Sequence, residues 1–308
     1  MNQRAFVFPG QGSQAVGMGK DLFEAFAECR ELFGRADQAL GFSLSKICFE
    51  GPEDELKKTA NTQPALLTVS IAALGQLRKK GVGFNAVAGH SLGAYSALVA
   101  AGALSFEDGV KLVRRRGELM EQAGAGKGTM AVILNLEEDK VAQACAEASA
   151  AGVVEPANVN CPGQIVISGE KAAVLLACEK AKALGAKRAM ELPVSGPFHS
   201  SLMKQAADGL REALGSVRLS EPETIYYSDI DAKSLKETGA IAESLVRQLV
   251  APVQWIKTIE AMGRDGFTTF VEVGSGKVLN GLIRKINKDA VIYNVGDSAS
   301  LAEADQWK

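Results

Sequence analysis

Short apolar runs, each followed by a glycine-rich turn and then a long amphipathic segment, recur along the chain. Ala5 to Phe8 leads into one glycine-rich loop, Ala86 to Gly89 into a second, and Thr269 to Val273 into a third. Continuous short apolar runs suit strands buried on both faces, and a helical segment after each supplies the crossover to the next. The alternation predicts an α/β fold on a largely parallel sheet.

The pattern changes between the stretch Gly124 to Gly128 and the turn Pro193 to Pro197. Thr129 to Leu134 reads as a strand and Glu137 to Ala151 as a helix. Val153 to Val159 and Gln164 to Ser168 read as strands joined by the turn Asn160 to Gly163. Lys171 to Leu184 reads as a second helix and Ala186 to Leu192 as a last strand. Strand, helix, strand, strand, helix, strand (βαββαβ) is the ferredoxin-like order. The helices carry apolar stripes at one-face spacing, Val141, Cys145, Ala148 and Val174, Cys178, Ala181, which assigns both cysteines to packing on the small sheet. The unit 127–193 is therefore expected as an insertion in a larger α/β domain made of residues 1–126 and 194–308.

A chain of 308 residues can bury about three quarters of its unfolded surface and needs no disulfide or metal staple. Its residues are 47% hydrophobic and 23% charged with a net charge of −2, so there is no overall basic field to hold nucleic acid or anionic lipid. Five cysteines, an odd number without any C-x-x-C pair, argue against a disulfide framework or a zinc site and for free thiols in a reducing compartment. Ala5 to Phe8 is too short for a signal-peptide core, and the longest apolar stretch, around Ala97 to Leu104, is too short for a membrane span. The expectation is a cytoplasmic protein without a membrane partner, metal or cofactor.

The only histidines are His90 and His199, so chemistry through imidazole has two candidates. Gly89-His90-Ser91-Leu92-Gly93 matches G-x-S-x-G, with a short apolar strand before it and an apolar helical segment, Ala94 to Ala103, after it. That is the context of a nucleophile elbow: the turn leaves no room for side chains beside the serine, and the helix start points backbone N–H groups at a developing oxyanion. The alternative is a glycine-rich structural turn. As base for Ser91, His90 is badly placed, since neighbours on a sharp turn project apart. His199 remains, provided the fold brings it within hydrogen-bond reach, and His90 falls to a structural or orienting role.

A helix opening at Ser105, with Asp108 three residues on, has a capping-box-like start. On its wheel Val110, Leu112, Val113, Leu119 and Met120 form an apolar face with Arg116 near its centre, while Arg114 falls on the opposite polar face and Arg115 at the edge. A buried guanidinium calls for an anionic partner. That partner is either an internal carboxylate or the carboxylate of a substrate, which a planar fork suits better than lysine would. Two glycine-rich stretches, Gly10 to Gly17 and Gly274 to Val278, miss the spacing of dinucleotide and Walker A loops and do not support nucleotide binding.

With these residues in hand, the chain resembles the malonyl-CoA:acyl-carrier-protein transacylase family along nearly its full length. The matching pieces are Phe6 to Gln14, Asn61 to Ala65, Gly89 to Gly93, Arg116-Gly117, Asn158 to Asn160 with Pro162 to Gln164, Pro193 to Ser195 running to His199, Gln248 with Pro252 to Trp255, and Glu272 to Gly274 with Gly276-Lys277. The resemblance implies an α/β-hydrolase-like core with a ferredoxin-like subdomain. It assigns Ser91 as nucleophile, His199 as base, the N–H groups of Gln11 and Leu92 as oxyanion hole, and Arg116 as clamp for the malonyl carboxylate. Gln63, Asn160 and Phe198 join Arg116 at the substrate, and Gln248 matches the position whose main-chain carbonyl orients the histidine. The implied reaction is ping-pong malonyl transfer from malonyl-CoA, through a Ser91 ester, to the phosphopantetheine thiol of acyl carrier protein, for fatty acid synthesis, by a monomer.

Ala94 departs from the acidic residue that the family commonly has after the elbow, a change bearing on local helix stability more than on reaction type. Phe198 before His199 resembles the Phe-His pairing of malonyl-selective acyltransferases. Alternatives are a free-standing polyketide acyltransferase, a serine esterase or thioesterase, and a catalytically dead carrier-binding module. An esterase would place an acid between serine and histidine and its histidine near the C-terminus, and it has no use for a buried arginine.

Overall fold

The structure, a computed structural model, describes residues 3–307. Its strands in chain order are β1 (Arg4–Phe8), β2 (Ala86–Gly89), β3 (Thr129–Leu134), β4 (Val154–Cys161), β5 (Gln164–Gly169), β6 (Arg188–Glu191), β7 (Ile225–Ser228), β8 (Lys233–Leu235), β9 (Thr269–Val273) and β10 (Val291–Val295). The larger sheet has the order β10-β9-β1-β2-β7-β8 and is parallel except where β8 folds back on β7. The three apolar runs of the sequence are adjacent strands at its centre, with β1 between β9 and β2.

Strand alternation divides the core between the two faces of this sheet. Phe6 and Phe8 point into one cluster, which includes Leu66, Leu92 and Val113; Ala5 and Val7 point into another, with Trp255, Ile259 and Leu279. Helices cover both faces, as an all-buried parallel sheet requires. Three of them position the site: Thr59–Lys79, Gly93–Ala100 and Phe106–Gly124.

The second sheet is antiparallel with the order β4-β5-β3-β6. Helices Glu138–Ala148 and Lys171–Ala183 pack on one face through Val141, Cys145, Val174 and Cys178. The βαββαβ order read from the sequence is the order observed. Boundaries differ slightly. The first helix finishes as a 3₁₀ turn at Ser149–Ala151, β4 extends to Cys161 and so tightens its hairpin to Pro162-Gly163, and the last strand shrinks to Arg188–Glu191.

We propose 127 and 193 as the limits of this unit, because β3 opens at Thr129, β6 closes at Glu191 and a separate apolar cluster lies between them. It is tied to the larger unit through β4: the Val159 N–H donates to the Val253 carbonyl at 2.8 Å, and the Val253 N–H to the Ala157 carbonyl at 2.9 Å. Among the described residues no helix is long and apolar enough to cross a membrane.

Candidate active site

Ser91 sits between the end of β2 and the helix Gly93–Ala100 with φ of +51°, a left-handed conformation costly for a residue with a side chain. The surroundings explain why it stays there. A Cβ on Gly89 would lie 1.9 Å from the Gly93 carbonyl carbon, and one on Gly93 would lie 2.0 Å from the Phe8 carbonyl oxygen. Backbone therefore packs on backbone where β1 and β2 deliver their loops, and glycine alone allows it.

The Ser91 hydroxyl lies 2.8 Å from His199 Nε2, and His199 Nδ1 lies 2.7 Å from the main-chain carbonyl of Gln248. A carbonyl only accepts, so Nδ1 carries the proton and Nε2 is left to accept from the serine. Burial, and next the positive charge of Arg116, push the His199 pKa down to about 3, which keeps the imidazole neutral as a base must be. His199 itself has φ of +59°, on the loop that follows the small sheet's last strand. His90 points elsewhere: its Nε2 donates to Asn160 Oδ1 at 2.8 Å, and burial lowers its pKa.

Ser105 caps the helix Phe106–Gly124 by accepting from the Asp108 N–H, and the helix buries Arg116 to 1% exposure. Nη1 donates to Gln63 Oε1 at 2.8 Å; Nη2 donates to Gln248 Oε1 at 3.0 Å and to Ser91 Oγ at 3.1 Å. All three acceptors are neutral. No carboxylate pairs directly with the guanidinium among the described residues, the buried Asp229 acting on its charge only across Gln248, and Nε, also buried, has no hydrogen-bond partner. Arg114, expected on the solvated face, is only half exposed: it bonds Glu118 and Asn61 Oδ1 and lies over the Phe42 ring, because the helix Thr59–Lys79 packs beside it.

These groups open on a cavity of about 340 Å³ between the two sheets. The larger unit supplies Gln11, Ser91, Leu92, Arg116 and His199, and the smaller unit Met130, Val132, Asn160 and Val166; Phe198 forms part of the apolar wall. Among the described residues the N–H groups of Gln11 and Leu92 have no protein acceptor, and both residues line the cavity beside Ser91. Gln63 stands behind the guanidinium it braces and is not on the cavity wall. The Gln11 side chain bonds Thr59, whose hydroxyl meets that of Ser195 at 3.2 Å, linking the Gln11 loop to the His199 loop.

Sequence reasoning missed Asp229. It lies just past β7, fully buried, and accepts the Ser91 N–H at 2.7 Å. No local signal marks it, because it sits among Asp and Ser residues of an ordinary turn and meets Ser91 only through β2–β7 pairing. The arrangement can activate a hydroxyl for attack on a carbonyl and place a cation beside the reacting centre.

Residues 5–298 match the acyl transferase domain family. The malonyl CoA-acyl carrier protein transacylase of Bacillus subtilis (strain 168) is 47% identical, covering 99% of this chain and 97% of its own length. That of Escherichia coli (strain K12) is 45% identical, covering 99% of each chain. Among solved structures, the acyl-carrier-protein S-malonyltransferase of Burkholderia pseudomallei 1710b superposes with a TM-score of 0.96 at 48% identity, covering 99% of both chains. A malonyl-transacylase in complex with a type II PKS acyl-carrier protein gives 0.97 at 43% identity, over 99% of this chain and 100% of that one. Elbow, inserted antiparallel sheet and full-length similarity converge: the chain belongs to the acyl transferase family, among the malonyl-CoA:acyl-carrier-protein transacylases.

Proposed function

We propose that the protein transfers malonyl from malonyl-CoA to the phosphopantetheine thiol of acyl carrier protein, for fatty acid synthesis, through an ester on Ser91. The observation that carries this reading is a buried guanidinium without a carboxylate partner, 3.1 Å from the hydroxyl of an elbow serine that also meets a neutral imidazole. An acyl group ending in a carboxylate supplies the missing anion.

In the first half-reaction Ser91 Oγ attacks the thioester carbonyl as its proton passes to His199 Nε2. The oxyanion falls to the N–H groups of Gln11 and Leu92, donors each worth about 2.7–4 kcal/mol in such chemistry. His199 then gives the proton to the departing CoA sulfur. In the second half the carrier thiol attacks the ester carbon, His199 takes its proton, and the same donors hold the second oxyanion before Ser91 leaves with that proton. Arg116 clamps the malonyl carboxylate, with Gln63 bracing it, while Asn160 and Phe198 shape the wall.

We further propose that one chain suffices, since every group named comes from a single chain, and that it works in the cytoplasm, where its five buried free thiols suit a reducing milieu. Intact-mass measurement after brief exposure to malonyl-CoA should show one malonyl increment on the enzyme, lost in Ser91→Ala and removed by phosphopantetheinylated carrier protein. An unmodified enzyme would reduce it to a binding module. Running the discharge with carrier proteins of fatty acid and polyketide systems separates the two pathways.

A further inference from the structure

Ser91 is held by both of its peptide groups. Its N–H donates to Asp229 Oδ2 at 2.7 Å, and its carbonyl accepts from Gln248 Nε2 at 3.1 Å. The same Gln248 nitrogen donates to Asp229 Oδ1 at 2.8 Å and to Oδ2 at 3.0 Å. Three acceptors surround that nitrogen, so the amide can point only one way, and its oxygen faces Arg116 Nη2 at 3.0 Å. The backbone carbonyl of the same residue accepts from His199 Nδ1. Gln248 thus touches nucleophile, base and guanidinium at once, and Asp229 decides how it sits. Asp229 is in turn fixed from behind, where its own carbonyl accepts the Gln254 N–H at 2.7 Å.

We propose that Asp229 is a positioning residue of this site: its carboxylate clasps the Ser91 peptide and the Gln248 amide, keeping the left-handed elbow, the imidazole and the guanidinium in one register. The proposal rests on the acyltransferase reading above. Asp229 meets neither imidazole nor substrate, so it is no member of a serine-histidine-acid triad. Removing it leaves the Ser91 N–H buried without an acceptor and frees the Gln248 amide to turn, which misplaces a reacting hydroxyl held in a costly conformation.

Ionisation enters as a second consequence. The charged and titratable groups facing Asp229 are Arg116 from the helix Phe106–Gly124, Tyr95 from the elbow helix and Tyr226 from β7. Burial pushes its pKa up to about 6, against the lowering effect of the Gln248 and Ser91 hydrogen bonds and of Arg116. Once protonated, the carboxyl offers a hydroxyl to a place where only acceptors fit. Acylation should therefore fall as pH drops through about 6, well above the range in which His199 protonates.

The test is the rate of malonyl-Ser91 formation per folded enzyme, by rapid-quench intact mass across pH 5 to 8, on parent, Asp229→Ala and Asp229→Asn. Asp229→Ala is expected to acylate at least about tenfold more slowly at pH 8, while still reaching one adduct per enzyme. Asp229→Asn, which like the protonated carboxyl keeps one acceptor but sets a donor against the Ser91 and Gln248 N–H groups, should acylate near the parent's low-pH rate across the whole range and so lose the fall near pH 6. A parental rate in Asp229→Ala, or a slowing matched entirely by fewer active molecules, would overturn the proposal. So would an acid limb retained in Asp229→Asn, a readout that stands even if Asp229→Ala does not fold. A parent enzyme that takes no malonyl would overturn the acyltransferase reading itself, whereas acylation indifferent to Asp229 sinks only the clasp.

Discussion

Replacing Arg116 with alanine tests the reading most directly. The guanidinium donates to Gln63, Gln248 and Ser91 and leaves Nε free in the site. A malonyl carboxylate that loses this partner loses hydrogen bonds to a charged group, about 1.5–3 kcal/mol each, and a charge left buried and unpaired costs about 3–5 kcal/mol. Malonyl transfer should fall in kcat/KM by about 10²–10⁴-fold. Acetyl-CoA has no carboxylate and loses only the Nη2 bond to Ser91 Oγ, about tenfold. The malonyl-to-acetyl ratio should thus drop by at least about tenfold, with Arg116→Lys falling between because a point charge cannot fork. Stability should change little, since two glutamine oxygens lose a donor while a desolvated charge is removed. Parallel acylation progress curves with the two CoA esters read the ratio; equal losses for both would refute the clamp.

Three further outcomes follow from the geometry. Phe198→Ser should relax discrimination against methylmalonyl by about 10–200-fold, the worth of one carbon in a pocket, and competition between the two thioesters would expose an unaltered preference. Gly93→Ala drives a Cβ to 2.0 Å from the Phe8 oxygen, backbone that cannot yield, so acylation should vanish with at least about 1–3 kcal/mol of stability; chemical denaturation showing neither loss would contradict the elbow packing. His199 and Asp229 oppose each other in acid. His199 binds its proton only in the unfolded chain between pH 6.5 and about 3, which costs stability as pH falls, whereas Asp229 binds its proton first in the folded state, from about 6 down to 3.8, which adds it. Relative to the parent, Asp229→Asn should lose ~1.4 kcal/mol per pH unit between pH 6 and 4; a gap constant with pH would show that the carboxyl is not perturbed.

What the sequence could show was what lies close along the chain. The elbow announces itself because strand, glycines and helix are contiguous, and the small unit because its six elements alternate cleanly between periods of two and 3.6 residues. Arg116 was legible from the wheel as buried, but not its neutral partners, since Gln63 and Gln248 come from other elements. β7 and β10 escaped the pattern: β7 opens on the exposed Ile225 and runs into Asp and Ser residues, while β10 keeps only Val295 fully buried. Asp229 follows from β7, so the strand that periodicity did not mark carries the carboxylate that it did not find.

The neutral partner of His199 bears on why such a site would transfer rather than hydrolyse. The imidazolium that forms when Ser91 gives up its proton has a backbone carbonyl beside Nδ1, not a carboxylate, and Arg116 opposes its charge. A base this weak needs an attacking group that yields its proton readily or whose anion is already stabilised. Ser91 has the second advantage, through Arg116 Nη2. A phosphopantetheine thiol has the first: thiols of its kind ionise about seven pK units below water. A malonyl carboxylate on Arg116 offsets the field on His199, so the base strengthens once the acyl group is bound, and the thiol profits where water still does not. The malonyl-Ser91 ester should accordingly persist in thiol-free buffer over many turnover times and discharge promptly when a pantetheine thiol is added. Loss of the malonyl increment to water at a rate comparable with thiol discharge would mean that the carbonyl-oriented histidine does not set this preference.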